Sequence, residues 1–250
     1  MKNTNTTNRL QLLDSLRGLL IISMIIYHGV WDIVYVFGVE LSWYKTDAAY
    51  LWQQSICWGF ILISGFCSTF GKNKLYRGLK ILLFSGLISL FTALFMRDNL
   101  ILFGILTLIG SGILFILVFD KFFKKINPYL GLLVFFILFI LTKNVGLGYI
   151  GIGNFKIFEL PTWLYKNYFT AFCGFFPEVF VSYDYFPLIP WLFLYVSEYL
   201  IYRIFEKLNL LRFLKKPSIP VLSWLGKHSL VIYVLHQPIL YLVLYPLFKY

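Results

Sequence analysis

The chain alternates long apolar runs with short polar, basic stretches. The runs at 18–31, 56–70, 79–95, 100–119, 129–142, 186–202 and 228–248 are each almost free of charge. Several approach the roughly 20 residues a helix needs to cross a hydrocarbon core of about 30 Å. They are apolar on every face, whereas a helix lying on a water-soluble core keeps a polar side. In lipid the backbone must satisfy its hydrogen bonds within the segment, so such runs predict spanning helices. The pattern predicts an all-α, polytopic transmembrane helix bundle of about seven spans, a single domain over 1–250.

Composition sharpens this picture. Hydrophobic residues make up 60% of the chain and charged residues 13%, against about 45–50% and about 25% in soluble domains. The polar start, MKNTNTTNRLQLLDS, reads as a short cytoplasmic tail over 1–12. The run that follows lacks a small-x-small cleavage site and reads as a signal anchor.

The net charge is +11, but its distribution argues against a nucleic-acid partner. The basic residues sit between the apolar runs, as membrane topology requires. Cytoplasmic loops are enriched in Lys and Arg. With seven spans and the N-terminus inside, sixteen of the 22 Lys and Arg residues are cytoplasmic. Lys45, Arg97, Lys143, Lys156, Lys166 and Lys249 are left outside. A multi-pass protein of the plasma (inner) membrane is expected.

The longest connection, 144–186, opens with GLGYIGIGNF, whose glycines suit turns. Its stretch 161–181 is aromatic and apolar but broken by Lys166, Asn167, Pro177 and Glu178. An eighth span, a re-entrant segment and an interfacial helix are all compatible with it. Connections this long are usually functional or disordered, and this one is too aromatic for disorder. It is read as an extracytoplasmic cap over a site, where Trp163, Tyr165, Tyr168 and Tyr183 stack on sugar rings or anchor the chain at the interface. Cys57, Cys67 and Cys173 show no metal-ligand spacing and read as small buried residues. No metal is expected.

Ionisable residues inside spans are costly and mark functional sites by default. In the first span, LDSLRGLLIISMIIYHGVWD, Arg17 and His28 are eleven residues apart. At 3.6 residues per turn they share one helix face, separated by about 16 Å along the axis. Asp32 follows one turn beyond His28, where a carboxylate can hold the imidazole in one tautomer. In the last span, LGKHSLVIYVLHQPILYLVL, His236 lies at a similar depth, and Gln237 and Pro238 follow it. His28, Asp32 and His236 are the catalytic candidates. Glu198, Asp184 of DYFPLIPW, Trp191 and Gln237 are candidates for substrate contact; a capping role for Asp184 is an open alternative. Arg17 with Lys72, Lys74 and Arg77 forms a basic inner mouth suited to phosphates. As a lone residue, Arg17 is equally a positive-inside anchor.

The order LDSLRGLLIISMIIYHG, DYFPLIPW, LGKHSLVIYVLHQP resembles the catalytic-domain family of heparan-α-glucosaminide N-acetyltransferase, in its short bacterial form. The Arg-x10-His spacing is similar to that of acyltransferase-3 membrane enzymes. The resemblance runs from Asp14 to Pro238. It implies that acetyl-CoA is taken from the cytoplasm and its acetyl group is passed to a carbohydrate or lipid-linked acceptor beyond the membrane. His28 matches the family's first-span active histidine, and Arg17 matches the arginine of the motif. The physical reading fits this chemistry: the pantetheine arm of CoA spans a distance like that from Arg17 to His28. His28 then serves as general base or as covalent acyl carrier. A permease for a sugar or lipid-linked intermediate is the competing reading, because the same polar residues can line a transport path.

Overall fold

A computed structural model of the chain describes residues 10–70, 73–215 and 219–248. Its helices are α1 (Gln11–Trp31), which continues as a π-helical turn (Asp32–Val36), α2 (Asp47–Phe66), α3 (Lys74–Phe95), α4 (Ile105–Lys125) and α5 (Pro128–Leu141). A hairpin of β1 (Tyr149–Ile152) and β2 (Phe155–Glu159) follows, then α6 (Tyr168–Ala171), α7 (Leu188–Lys207), α8 (Leu211–Leu214), α9 (Pro220–Lys227) and α10 (Ser229–Phe248).

Each of the seven predicted apolar runs lies largely in a long helix. Six segments are long and apolar enough to cross a membrane: Gln11–Val36, Lys74–Phe95, Ile105–Lys125, Pro128–Leu147, Leu188–Lys207 and Ser229–Phe248. The run at 56–70 lies in α2, a 20-residue helix outside that set. Its first half brings in Gln53 and Gln54, which lower its mean hydropathy. The protein is a multi-pass helical membrane protein. Its helices expose large apolar side chains, among them Leu83 at 63%, Val118 at 72% and Leu242 at 71%. Lipid, not water, is the solvent those faces require. No residue of α10 is fully buried, which accounts for a helix that is apolar all round.

The chain forms two compact units. The first comprises residues 1–63 and 206–250. Its core gathers Ile21, Met24 and Ile56, with Tyr27, Trp52, Phe60, Ile232 and Tyr233 packed against them. Here α1 and α9 meet backbone to backbone. A Cβ built on Gly18 would lie 2.0 Å from the Leu222 carbonyl oxygen, and one on Gly226 would lie 1.8 Å from that of Asp14. Ser15 and Ser223 hydrogen-bond across the same seam at 3.0 Å. Small residues let helices approach this closely when van der Waals packing, rather than the hydrophobic effect, must hold them.

The second unit comprises residues 64–205. In it α3 and α4 pack through Gly78 and Gly110, with a Ser85–Thr107 hydrogen bond of 2.6 Å. Tyr195 of α7 is wholly buried, its ring lying over Gly112. Two arginines close helix ends. Arg77 donates to the carbonyls of Phe70 (2.7 Å), Ser68 (3.2 Å) and Cys67 (3.3 Å). Arg203 donates to those of Phe123, Ile126 and Lys124 at the end of α4. The C-terminal carbonyls of a helix lack intrahelical donors and carry partial negative charge, so a guanidinium fork satisfies them.

The connection 144–186 contains no helix longer than four residues, so it supplies no eighth helical span. It holds the antiparallel β1–β2 hairpin, turned at Gly153 with φ +54°. The glycines of GLGYIGIGNF suit turns, and the Tyr-Ile-Gly-Ile and Phe-Lys-Ile-Phe runs flanking Gly-Asn carry a hairpin signal besides. Tyr165 and Tyr185 anchor the rest, donating to the carbonyls of Val145 and Ala171, each at 2.5 Å. Burial raises both phenols above the ordinary tyrosine range, so both hydroxyls remain donors. Burial also raises the Cys173 thiol. Alkylation of Cys173 by iodoacetamide at pH 8 is expected to run at least several-fold slower than that of free cysteine, read by mass spectrometry of the labelled peptide.

Candidate active site

In the first unit, α1 and α10 bring four polar side chains of the two spans together. His28 and His236 face each other with ring centroids 4.8 Å apart. Gln237 Nε2 donates to Asp32 Oδ1 at 2.5 Å. Asp32 is fully inaccessible to solvent. His28 on α1 and Asp32, at the start of the π-helical turn that continues it, lie one turn apart, about 6 Å along the axis. The adjacent residues His236 and Gln237 of α10 each meet one of them.

This arrangement differs from the expected His28–Asp32 pair. The carboxylate binds the Gln237 amide, and His28 packs against His236. Neighbours at i and i+4 share a face, but a residue on the facing helix competes for each, and α10 supplies both competitors. His236 Nδ1 lies 2.5 Å from the Tyr233 carbonyl. A carbonyl only accepts, so Nδ1 carries the hydrogen and Nε2 of the neutral ring keeps its lone pair.

Aromatic residues wall the site, and the sequence reading missed them. Tyr27 meets His28 edge-on at 5.8 Å and Trp52 at 5.2 Å. Trp52 Nε1 donates to Ser23 Oγ at 2.8 Å, and Tyr44 is buried against Val34 and Ala49. Tyr27 is adjacent to His28 in the chain. Trp52 and Tyr44 carried no signal beyond their type, because aromatic residues are common near membrane interfaces.

The remaining candidates fall elsewhere. Arg17 pairs with Asp14 at 3.4 Å, near the start of α1. Lys72 lies outside the described residues. In the second unit, Lys74 and Lys124 both bind Asp120, at 3.8 and 2.6 Å. Arg77 directs its Nη1 and Nη2 donors to the backbone, as described above. Asp184 Oδ2 accepts from the Ile105 amide at 3.2 Å, so it caps α4 rather than the helix that follows it in sequence. Trp191 packs between Phe139 and Phe186, at 5.7 and 5.2 Å. Glu198 sits against Gly65, where an added Cβ would meet its own Cβ at 2.9 Å. Asp184→Ala is expected to cost about 0.5–2 kcal/mol, as loss of a helix cap does. Thermal unfolding in detergent measures this, and Asp184→Asn should retain most of the stability.

A multi-pass helical protein that brings an imidazole pair and a carboxylate–amide pair together between its first and last spans has a polar site among its membrane-spanning helices. The chain belongs to the heparan-alpha-glucosaminide N-acetyltransferase catalytic family, whose model matches residues 9–238. The match begins just before α1 and ends one residue beyond Gln237, so it includes the whole cluster. No curated protein and no solved structure matches the chain.

Proposed function

We propose that this protein transfers an acetyl group from cytoplasmic acetyl-CoA to a hydroxyl or amine of a carbohydrate or lipid-linked acceptor on the far side of the membrane. The observation that carries the reading is the His28–His236 pair, whose rings meet at 4.8 Å between α1 and α10. Arg17 lies about 16 Å away along α1, by helix rise. A guanidinium there suits the phosphates of the donor. The pantetheine arm then runs along the helix and delivers the thioester to His28. Family membership supports acetyl transfer over the permease reading. Asp32 and Gln237 line the same site. The acceptor side belongs to the outer end of α1 if the N-terminus is cytoplasmic, as the distribution of Lys and Arg favours; in a bacterium this places the protein in the plasma (inner) membrane.

Two routes use the same residues. In one, His28 removes the acceptor's proton as it attacks the thioester. In the other, a ring nitrogen of His28 takes the acetyl group first and releases the CoA thiolate. The test is acetyl transfer from radiolabelled acetyl-CoA to methyl glucosaminide by the purified protein in lipid nanodiscs. Labelled product is expected, and quenching before acceptor is added should trap acetylated protein only if the covalent route operates. Failure of the protein to bind CoA would overturn the reading.

A further inference from the structure

The β1–β2 hairpin is sorted into two unlike faces. Cross-strand partners share a face, and the register sets Ile152 opposite Phe155, Ile150 opposite Phe158, Gly151 opposite Lys156 and Tyr149 opposite Glu159. Strict alternation from Phe155 would turn Phe158 to the side of Lys156, and Glu159 to the side of Phe155. The β-bulge beside Ile150 reverses both, because its extra residue, Ile157, shifts the strand by one place. One face therefore carries Ile150, Ile152, Phe155 and Phe158. The other carries Tyr149, Lys156 and Glu159. There Lys156 Nζ bonds Glu159 Oε1 at 3.1 Å and lies 5.4 Å from the centre of the Tyr149 ring.

The sidedness is inverted. In an antiparallel sheet beside a soluble core, the apolar face turns inward and the polar face meets water. Here the buried residues of β1 are Tyr149 and Gly151, on the charged face. Ile152, Phe155, Ile157 and Phe158 are each more than half exposed. An exposed apolar patch of this kind marks a membrane or protein contact, and the hairpin's position selects the membrane. The apolar span Pro128–Leu147 ends two residues before Tyr149, at most about 7 Å of chain. The interfacial layer is roughly 5–8 Å thick on each side of the hydrocarbon. Leu147, 73% exposed, continues the exposed apolar residues of α5, such as Leu133, up to the hairpin. Asn144, inside the span, donates through Nδ2 to the carbonyls of Gly151 at 3.3 Å and Gly153 at 3.1 Å. The Leu160 amide donates to the Gly148 carbonyl at 2.8 Å. Both the turn and the open end of the hairpin are thereby tied to the level at which the span ends.

We propose that this hairpin is an interfacial membrane anchor. Ile150, Ile152, Phe155 and Phe158 enter the boundary between headgroups and acyl chains in the phospholipid leaflet at this end of α5, with Lys156 and Glu159 on the side away from the acyl chains. The backbone sets the depth. Neither strand has a second neighbour among the described residues, so the outer edge of each presents unpaired N–H and C=O groups. Hydrocarbon forbids such an edge, whereas the headgroup layer supplies water and phosphate to bond it. Lys156 and Glu159 are the only charges in residues 149–159 and cancel, so the anchor engages the apolar boundary of the leaflet and needs no anionic lipid.

The test uses the full chain in nanodiscs of zwitterionic phosphatidylcholine. A phosphatidylcholine bearing a diazirine near the head of one acyl chain is photolysed with the wild-type protein, and adducts are located by mass spectrometry. Adducts within residues 152–158 are expected, and a hairpin free of them overturns the anchor. Depth is then read on two nitroxide-labelled variants, Phe155→Cys and Glu159→Cys, each with Cys57→Ala, Cys67→Ala and Cys173→Ala. Oxygen concentrates in lipid and a neutral nickel chelate in water. The ratio of oxygen to nickel accessibility is expected to be at least several-fold higher at position 155 than at 159. Equal ratios overturn the anchor. Shielding of position 155 from both reagents, with spin–spin broadening that vanishes on dilution with unlabelled protein, assigns the face to a second copy of the chain and overturns it too. If the cysteine-free chain does not fold, photolabelling of the wild type decides alone.

Discussion

Replacing His28 with alanine is expected to lower acetyl transfer by about 10²–10⁴-fold, the range that a positioned acid–base group contributes. That corresponds to about 3–5 kcal/mol of lost transition-state stabilisation. The ring lies against His236 at 4.8 Å and Tyr27 at 5.8 Å, with no hydrogen bond to another described residue. Its removal therefore takes away packing but breaks no polar network. The variant should elute from size exclusion as the wild type does and keep its affinity for CoA. The effect should fall on kcat and kcat/KM together, the pattern for a group that acts in the transition state. Full activity in purified His28→Ala would remove His28 from the chemistry. Acetylated protein trapped in wild type and absent from His28→Ala would identify the carrier route.

The second large effect concerns folding. Gly226→Ala is expected to destabilise the protein by about 3 kcal/mol or more, at or beyond the upper end of ordinary overpacking. The new methyl would lie 1.8 Å from the Asp14 carbonyl oxygen. A side chain in the way can turn to another rotamer, but the backbone of a packed helix cannot. Gly18→Ala meets the Leu222 carbonyl oxygen at 2.0 Å and should behave alike. Both changes push α9 from α1, and α1 carries His28 and Asp32. By contrast, Ser223→Ala removes hydrogen bonds of its hydroxyl, among them the 3.0 Å bond to Ser15 and the 3.5 Å bond to the Gln11 carbonyl, and should cost about 0.5–1.5 kcal/mol. Thermal unfolding of the three variants in one detergent ranks them. Gly226→Ala unfolding at the wild-type temperature would contradict the close approach.

Much of the architecture was legible in the sequence because lipid leaves the backbone few choices. A run that is apolar all round must bond its own backbone, so the runs at 79–95, 100–119 and 129–142 had to be helices. The common face of Arg17 and His28 followed from helix periodicity alone. The similar depth of His28 and His236 followed from counting along each span.

Periodicity describes the faces of one helix and carries no information on which helix it meets. The tertiary structure alone decided that Asp32 bonds Gln237, 205 positions away, rather than His28. It alone showed that Asp184 caps α4 from 79 positions away and that Arg77 closes a helix end. The hairpin at 149–159 is obscured in the sequence because Gly146, Gly148, Gly151 and Gly153 carry the composition of a loop. Gly18 and Gly226 gave no separate signal, since a glycine in an apolar run looks alike whether it faces lipid or another backbone. The sequence by itself determined the helices, their apolar faces and the shared face of Arg17 and His28. Only the pairing of α1 with α10 and α9 decided the site, because a hydrogen bond between distant residues is chosen by whichever partner packing brings within reach.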